Sequence, residues 1–335
     1  MHKKALLAPP ISQSHHESRL AVLDGWRGIS ILLVLAAHLL PLGPKQWRIN
    51  ETAGAMGMAI FFALSGFLIT RLLLQNQNIF HFLIKRFLRI APLAWLAILF
   101  ALLTTTDSAS VYVSHIFFYA NLPPIQLTSI TSHFWSLCVE VQFYVFIALL
   151  VGVFGRGGLY SIPILCILVT INRIWVGSYI DIVTIRRVDE ILAGATLALI
   201  YANHSGFNPK SLVSKLSPYL LLGLFAISSS PYGAWANYFR PYLAATLIGA
   251  TLFSEESPLT KLLASRVLKY IATISFALYV IHGVLRETWL GSGDTLERYL
   301  KRPLLFAATF GLAHLSTFYF ESRFIRLGKR LTVKK

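Results

Sequence analysis

The sequence predicts an all-α fold, a polytopic membrane bundle of about ten transmembrane helices with both termini in the cytoplasm. Hydrophobic residues make up 56% of the 335 residues, and charged residues make up only 13%. Apolar runs of membrane-spanning length recur from about residue 28 to about residue 320, and the mean hydropathy is +0.63. A soluble domain carries about twice this charged fraction, so the composition excludes a soluble globular fold.

Polar breaks divide the apolar sequence into ten predicted spans, since a helix needs about 20 residues to cross the hydrocarbon core. A further partly apolar segment, 108–121, is expected to form a re-entrant or interfacial helix. No soluble domain is long enough to stand alone, so the chemistry must lie within the bundle or at its faces. The predicted spans are 26–43, 53–74, 83–104, 134–154, 158–172, 185–202, 216–230, 239–253, 268–286 and 303–320.

The Lys and Arg residues predict the orientation of the chain. The connections on the side of the two termini hold 20 of these bases, and the other connections hold 10. Cytoplasmic connections carry the excess of Lys and Arg, so both termini are expected inside. A retained cytoplasmic tail is expected at 1–19, because this segment lacks the long apolar core and cleavage site of a signal peptide. The transmembrane domain is expected at 20–327 and a basic cytoplasmic tail at 328–335.

The net charge of +16 bears on the partners of the protein. Because the bases cluster between apolar runs and at the two ends, they indicate orientation and contact with anionic lipid, and no nucleic-acid partner is expected. Cys138 and Cys166 fall inside predicted spans and show neither a disulfide framework nor the spacing of a zinc site. They are interpreted as small core residues, and no metal site is predicted.

An imidazole stands inside the first predicted span. Arg27 and His38 are eleven residues apart in LDGWRGISILLVLAAHLL, which puts them within about 20° of one helix face and roughly 16 Å apart along the axis. Arg27 is expected near the cytoplasmic mouth, with Asp24 close enough to pair with it. His38 is expected near mid-membrane, where ionisable groups are costly and usually functional. A histidine that is hydrogen-bonded for packing alone is the alternative.

A pair of arginines begins the third predicted span. Arg86 and Arg89 lie at i and i+3 in HFLIKRFLRIAPL, with Lys85 beside them. Two guanidinium groups on one helix face suit a phosphate-bearing ligand, because each can bind its oxygens in bidentate fashion. The alternative is an ordinary cytoplasmic anchor of the positive-inside kind.

The fourth predicted span begins with polar residues on one helix face. Ser136, Glu140 and Tyr144 are spaced i, i+4, i+8 in HFWSLCVEVQFYVF. An acidic residue in an apolar run is a functional candidate, able to orient or neutralise an imidazolium on another helix. A carboxylate at the outer interface, beneath an aromatic belt, is the alternative.

Charged residues also begin the span at 185–202. Arg187 and Asp189 stand at its start, and Gly194 and Ala198 form a small-xxx-small packing face. A structural role in helix packing competes here with a role in ligand binding.

A second histidine occurs in a late span. Ser275, Tyr279 and His282 align at i, i+4 and i+7 in ISFALYVIHGVL. A buried histidine that is hydrogen-bonded for structure competes with a catalytic one.

Taken together, these motifs resemble the acyltransferase-3 family of bacterial integral-membrane acyltransferases. The resemblance covers about residues 20 to 330, and the motifs occur in the order of the family. A late Glu before a basic tail also matches, at Glu321, whereas Arg323 stands where the family often has proline. The other matching residues are Arg27 with His38; Arg86 and Arg89 with Pro92; Ser136, Leu137, Glu140, Phe143 and Tyr144; Arg187, Asp189 and Gly194; and Ser275, Tyr279 and His282.

The resemblance implies about ten spans with cytoplasmic termini in the bacterial cytoplasmic (inner) membrane. It implies transfer of an acyl group, often acetyl from acetyl-CoA, to a sugar hydroxyl of a surface glycan such as lipopolysaccharide O-antigen, exopolysaccharide or capsule. The implied partners are acyl-CoA, a glycan or glycolipid acceptor and the lipid bilayer, without a metal. Some members carry a fused extracytoplasmic hydrolase-like domain, and none is expected in this sequence.

These expectations combine into a mechanistic hypothesis. Arg86 and Arg89 would bind the CoA phosphates at the cytoplasmic mouth, the pantetheine arm would run up the bundle, and His38 would meet the thioester. His38 would act as general base on the acceptor hydroxyl or as a transiently acylated nucleophile, and the sequence leaves both roles open. Glu140 would orient the imidazole or hold its proton.

In this hypothesis Asp24 and Arg27 would shape the mouth of the bundle. Two other classes of function compete with it. A proton-coupled transporter or flippase of a glycan-lipid intermediate could use the same buried groups as a proton relay. The sequence shows no internal repeat and no paired Gly/Pro-broken spans to favour it. A non-catalytic membrane scaffold would leave the aligned polar residues without a purpose.

Overall fold

The fold is a bundle of helices, and 81% of the residues that the computed structural model describes are helical. No strand occurs in the residues that the structure describes. Those residues are 13–104, 108–202, 213, 215–254 and 257–332, with the backbone alone described for 13–20.

Several of the described connections between the helices contain a 3₁₀ turn. A π turn, Ser316–Glu321, joins the last two helices. The helices are α1 (Gln13–Leu39), α2 (Ile49–Gln75), α3 (Ile79–Leu103), α4 (Ala109–Ile116), α5 (Trp135–Phe154), α6 (Ile162–Val176), α7 (Asp189–Ala202), α8 (Pro218–Ser229), α9 (Arg240–Phe253), α10 (Pro258–Leu263), α11 (Arg266–Arg286), α12 (Thr295–Leu315) and α13 (Ser322–Leu331).

Each of the ten predicted spans coincides with a helix, and the all-helical prediction is confirmed for the described residues. Helices α7 and α9 have 14 residues each and reach only about 21 Å, less than the roughly 30 Å of a hydrocarbon core. The count of ten spans and the cytoplasmic termini therefore stay predictions. The helical segments long and apolar enough to cross a membrane number six in the described chain: Ala21–Leu39, Lys45–Gln75, Ile79–Leu103, Ser132–Val176, Arg266–Arg286 and Thr295–Leu331.

Turn residues shift one boundary clearly. The sequence predicts an end of the first span at residue 43, whereas α1 ends at Leu39. Pro41 and Pro44 explain the difference, because proline lacks the amide donor and restricts the residue before it. At its start α1 extends into the predicted tail at 1–19. Residues 1–12 and 333–335 of the predicted tails lie outside the described residues.

Helix α2 forms the centre of the bundle. It makes its most extensive contacts with α7 and α1, and α1 packs in turn on α11. Side chains on all sides of α2, such as Ile60, Phe62 and Leu73, are completely buried. An apolar surface around the whole circumference is what a helix enclosed by other helices requires.

Two glycines set the distance between α2 and α7. A Cβ added to Gly66 would lie 1.8 Å from the carbonyl oxygen of Ile191, and one added to Gly194 would lie 1.8 Å from that of Ala63. Such contacts are sterically impossible, so the backbones approach this closely only because neither residue has a side chain. The packing role predicted for Gly194 is confirmed, and Ala198 on the same helix is completely buried.

We expect Gly194→Ala to lower the free energy of unfolding by about 1–3 kcal/mol, because the new methyl group collides with the backbone of α2. Thermal unfolding of the purified protein in detergent measures this loss. Gly223→Ala on α8 is the matched control, since a Cβ there meets nothing within 4 Å. Equal melting temperatures for the two variants would contradict the close-contact role of Gly194.

Candidate active site

His38 lies in the last turn of α1, one residue before the helix ends at Leu39. The part of this helix that could cross a membrane is Ala21–Leu39. His38 therefore lies at the end of this segment, because the helix ends sooner than predicted, and its depth in a membrane stays a prediction. The side chain of His38 is exposed, whereas that of Arg27 is half-buried nearer the other end of the same stretch. A substrate can thus reach the imidazole at one mouth of the bundle.

A second histidine fixes the tautomer of His38. Nδ1 of His38 lies 2.9 Å from Nε2 of His282, and the planes of the two rings are within 5° of parallel. Nδ1 of His282 lies 2.7 Å from the Tyr279 carbonyl oxygen and 3.1 Å from that of Leu278. Carbonyl oxygens only accept, so His282 carries its proton on Nδ1, and its Nε2 accepts a hydrogen bond from Nδ1 of His38. Neutral His38 then has its lone pair on Nε2, as a general base requires.

Glu140 is not the partner of His38, in contrast to the orienting role that the sequence suggests. Its Oε1 accepts hydrogen bonds from the hydroxyls of Ser65, at 2.8 Å, and of Tyr144. The partner of His38 is His282 instead. Glu140 lies more than one helical turn beyond the start of α5, so it faces a different layer of the bundle.

Ser136 and Tyr279 do lie beside the histidine pair. The Tyr279 hydroxyl donates to the carbonyl oxygen of His133 and accepts from the hydroxyl of Ser136, 2.5 Å away. The buried ring of His133 packs against the ring of His282, with 5.2 Å between the centroids. Sequence reasoning missed His133 as a site residue. The signal was its position one turn before Ser136, on the side where the predicted span begins.

Two cavities meet at His38. The helix cavity, about 300 Å³, lies along α1 and α2, and the loop cavity, about 380 Å³, lies against the connection before α5 and the end of α11. Exposed charged side chains line both cavities, Glu51 the helix cavity and Arg286 with Glu287 the loop cavity, and the helix cavity also extends to the buried Arg187. Both cavities are lined by His38, His133 and Trp135; the helix cavity also by Val34, Asn50, Met58, Arg187 and Tyr279; and the loop cavity also by Ser129, Ser132, His282, Arg286 and Glu287.

A third cavity, which we call the basic cavity, lies at the predicted arginine pair. It has a volume of about 230 Å³ and is lined by the bases Lys85, Arg86, Arg89 and Lys329. No Asp or Glu occurs among its lining residues in the described chain. Lys329, on α13, was assigned by sequence to a tail beyond the transmembrane domain. Four bases without an acidic neighbour in the wall are suited to a ligand with several negative charges.

The polar face of α5 leads from the histidines to the basic cavity. Ser136, Glu140 and Tyr144 follow one another along this face, about 12 Å from first to last. The guanidinium carbon of Arg86 lies 5.7 Å from the centre of the Tyr144 ring. Arg27 interacts electrostatically with Glu140 and Arg86. The structure therefore brings these predicted residues into one row.

Two predicted residues make no side-chain bond to the others. Asp24 is half-buried and interacts electrostatically with Arg27, but no oxygen of its carboxylate lies within 4.0 Å of a basic nitrogen among the described side chains, so the two form no salt bridge. Ser275 donates its hydroxyl to the carbonyl oxygen of Ala272 in its own helix, 2.8 Å away. Side chains spaced for one helix face can still bond within their own helix, and serine does so readily.

Arg187 and Asp189 belong to a buried cluster of five charges, none more than 2% exposed. Asp189 pairs with Arg173 at 2.5 Å. Glu190 pairs with Arg240 at 2.7 Å, and Arg187 lies 3.3 Å from the other oxygen of Glu190. Sequence reasoning missed Arg173 and Arg240, and the available signal was a single base at the end of an apolar run.

The connection before α7 is held by Asp181. Its carboxylate accepts hydrogen bonds from the amide of Val183 at 2.8 Å, the hydroxyl of Ser178 at 2.9 Å and Nε of Arg186 at 2.6 Å. Partial burial acts to raise the pKa of Asp181, but these hydrogen bonds outweigh it and hold the pKa below its usual value. The charged carboxylate thus ties down the segment that positions Arg187.

Comparison with known proteins relates this site to named relatives. The peptidoglycan O-acetyltransferase OatA of Listeria monocytogenes is 25% identical over 90% of this chain and 55% of its own length. A Staphylococcus aureus protein assigned as an O-acetyltransferase is 27% identical over 78% of this chain and 49% of its own length. A Bacillus subtilis protein assigned as a peptidoglycan O-acetyltransferase is 25% identical over 81% and 49%, respectively.

This chain thus spans about half the length of the curated relatives that it matches. No solved structure gives a significant match. The acyltransferase domain family matches residues 20–321, which include every motif from Arg27 to Glu321. Because this match covers most of the sequence, the chain belongs to the acyltransferase-3 family.

Proposed function

We propose that this protein is a membrane-bound O-acyltransferase. It moves an acyl group, acetyl in the proposed reaction, from cytoplasmic acyl-CoA to a hydroxyl of a cell-surface glycan or of its lipid-linked precursor. The observation that carries this proposal is the position of His38, whose ring lines two cavities and whose tautomer is that of a base. The membership in an acyltransferase family supports the reaction class.

The basic cavity supports acyl-CoA as the donor. CoA carries a diphosphate and a 3′-phosphate at one end and its thioester at the end of a long, flexible arm. Arg86 and Arg89, with Lys85 and Lys329, offer charge-assisted hydrogen bonds to phosphate oxygens. The arm then follows the polar face of α5 to the helix cavity, where the thioester meets His38. The excess of Lys and Arg favours the cytoplasm for the phosphate end.

The hydrogen-bonded histidine pair supports general base catalysis. Nε2 of His38 takes the proton of the acceptor hydroxyl as the hydroxyl oxygen attacks the thioester carbonyl carbon. The carbon–sulfur bond then breaks, and the leaving thiolate takes the proton from His38, which yields the ester and free CoA. Throughout the reaction, Nε2 of His282 accepts the hydrogen bond from Nδ1 of His38. His282 thus has the role that a carboxylate has in a serine hydrolase triad.

The loop cavity supports a glycan as the acceptor. Hydroxyl groups of Ser129 and Ser132, the charges of Arg286 and Glu287 and the aromatic ring of Trp135 line it together. Such a mixture suits a sugar ring, which offers hydroxyls at its edge and an apolar face. The Listeria relative is named for O-acetylation of peptidoglycan. The proposed acceptor is therefore peptidoglycan or another surface glycan with free hydroxyls.

We expect His38→Ala to lower acyl transfer by about 10²- to 10⁴-fold, because the acceptor hydroxyl loses its base. Membranes that contain the protein are incubated with labelled acetyl-CoA, and the label in the glycan fraction is counted. His314→Ala is the matched control, because His314 lies on α12 and bonds to Tyr270. Near-normal transfer by His38→Ala would remove the proposed role, and flux driven by a proton gradient without CoA would identify a transporter instead.

We expect His282→Ala to lower kcat by about 10- to 100-fold with little change in the KM for acyl-CoA, because His38 loses the group that fixes its tautomer. His282→Gln keeps a side-chain acceptor and should recover part of the rate. Initial rates at varied acyl-CoA give both constants. A rise in KM alone, or no recovery with Gln at equal protein abundance, would contradict this orienting role.

We expect Arg86→Ala to raise the apparent KM for acyl-CoA by about 10- to 100-fold, because one charge-assisted hydrogen bond to a phosphate is lost. The matched control is Arg326→Ala, an exposed base on α13 that does not line the basic cavity. Donor titration at a saturating acceptor concentration measures the change. An unchanged KM would reduce the arginine pair to an anchor at the membrane surface.

A further inference from the structure

We propose that Arg187 binds the carbonyl oxygen of the transferred acyl group as this oxygen becomes negatively charged. The inference rests on the acyl transfer proposed above and adds a catalytic residue to it. It starts from a buried guanidinium whose Nε and Nη1 have no hydrogen-bond acceptor in the described part of the chain.

Arg187 differs from the other two arginines of the buried cluster in its hydrogen bonds. Arg173 donates to Asp189 and to a backbone carbonyl oxygen, and Arg240 donates to Glu190. The guanidinium of Arg187 makes no hydrogen bond to any residue in the described part of the chain, and its Nε and Nη1 are buried without a partner. Charged donors left unpaired in a buried site are costly, so an oxygen from a ligand is their natural acceptor.

The charges of the cluster do not cancel. Arg173 and Asp189 form one close pair and Arg240 and Glu190 another, at 2.5 Å and 2.7 Å. Arg187 has only the longer, 3.3 Å contact with Glu190. The surplus positive charge therefore resides on Arg187, where it attracts an anion strongly because the site is shielded from water.

The position of Arg187 directs this charge toward the reaction. Arg187 lines the helix cavity together with His38. Its guanidinium carbon lies 5.2 Å from the centre of the Trp135 ring and 6.0 Å from that of Phe62. Contact with aromatic rings stabilises the guanidinium in place and leaves N–H groups free to donate. A positive group held in advance beside a reacting carbonyl is how enzymes stabilise an oxyanion.

The electron movements of the proposed step leave Arg187 unchanged. As the acceptor oxygen bonds to the carbonyl carbon, the π electrons move onto the carbonyl oxygen, and His38 takes the hydroxyl proton. The oxyanion then pairs with the guanidinium of Arg187. When the C=O bond re-forms, the carbon–sulfur bond breaks, and the thiolate leaves with the proton from His38. Arg187 thus stabilises the transition state more than either bound substrate.

The kinetic test compares Arg187→Gln and Arg187→Lys with the unmodified protein. We expect Arg187→Gln to lower kcat by about 10²- to 10³-fold while both KM values change less than about threefold. The kcat of Arg187→Lys should lie between those of Arg187→Gln and the unmodified protein, because lysine keeps the positive charge and lacks the planar guanidinium. Arg298→Gln is the matched control, since it removes an exposed guanidinium on α12 that lines none of the three cavities.

Three results would overturn the inference. One is a kcat of Arg187→Gln within about threefold of the unmodified protein. Another is a raised KM for the acceptor at unchanged kcat, which would assign Arg187 to a permanent anion of the acceptor instead. The third is a loss of rate that matches the loss of folded protein, measured by its melting temperature and abundance, for both Arg187 variants.

A binding measurement separates this inference from the proposed function. Methylphosphonate, a tetrahedral anion, is titrated into the detergent-purified full chain that carries Arg86→Ala and Arg89→Ala, so that the basic cavity does not contribute. We expect a saturable change in tryptophan emission that Trp135→Phe and Arg187→Gln both abolish. Such binding, together with no acyl transfer by the unmodified protein, would overturn the proposed function and keep the anion site. If the protein transfers the acyl group, and neither the kcat nor the binding of methylphosphonate depends on Arg187, this inference alone is overturned.

Discussion

The close approach of α2 and α7 is the constraint on which the rest of the candidate site depends. Gly66 and Gly194 let the two backbones touch, and the first turn of α7 is thereby held against the centre of the bundle. This contact brings Arg187 beside Phe62 and into the wall of the cavity that contains His38. Between membrane helices the attraction comes from close packing more than from exclusion of water. A wider separation would therefore have two effects at once. It would weaken the fold, and it would move the buried charge of Arg187 away from His38.

The polar groups are distributed so that each is paired inside the protein or faces a cavity. At one end, His38 and His282 form a hydrogen-bonded pair. At the other end, four bases line the basic cavity, and no Asp or Glu occurs among its lining residues in the described chain. Glu140 lies between them and takes its hydrogen bonds from Ser65 and Tyr144. This arrangement fits a donor whose charges stay at one end while its reactive group reaches the other, because burying unpaired charge along the whole path would cost too much.

The helices could be predicted from the sequence, and most of the side-chain partners could not. Apolar runs locate helices well because a lipid-facing or buried helix needs apolar residues over its whole length, whereas Pro41 and Pro44 move the end of α1. Helical spacing states which residues share a face of one helix and does not state which helix lies opposite. His38 and His282 are 244 residues apart, so their pairing follows only from the packing of α1 on α11. Lys329 reaches the basic cavity because α13 folds back onto α3 after the π turn.

The two cavities that share His38 have a consequence for the order of events in a catalytic cycle. A single imidazole that lines both cavities allows donor and acceptor to be held at the same time, with His133 and Trp135 in the walls of each. In the proposed reaction the two substrates therefore react within one ternary complex, and no covalently loaded form of the protein has to wait for the second substrate. In that proposed reaction the acyl group passes from the compartment of its donor to that of its acceptor in one chemical step, which requires neither an open pore nor a mobile carrier.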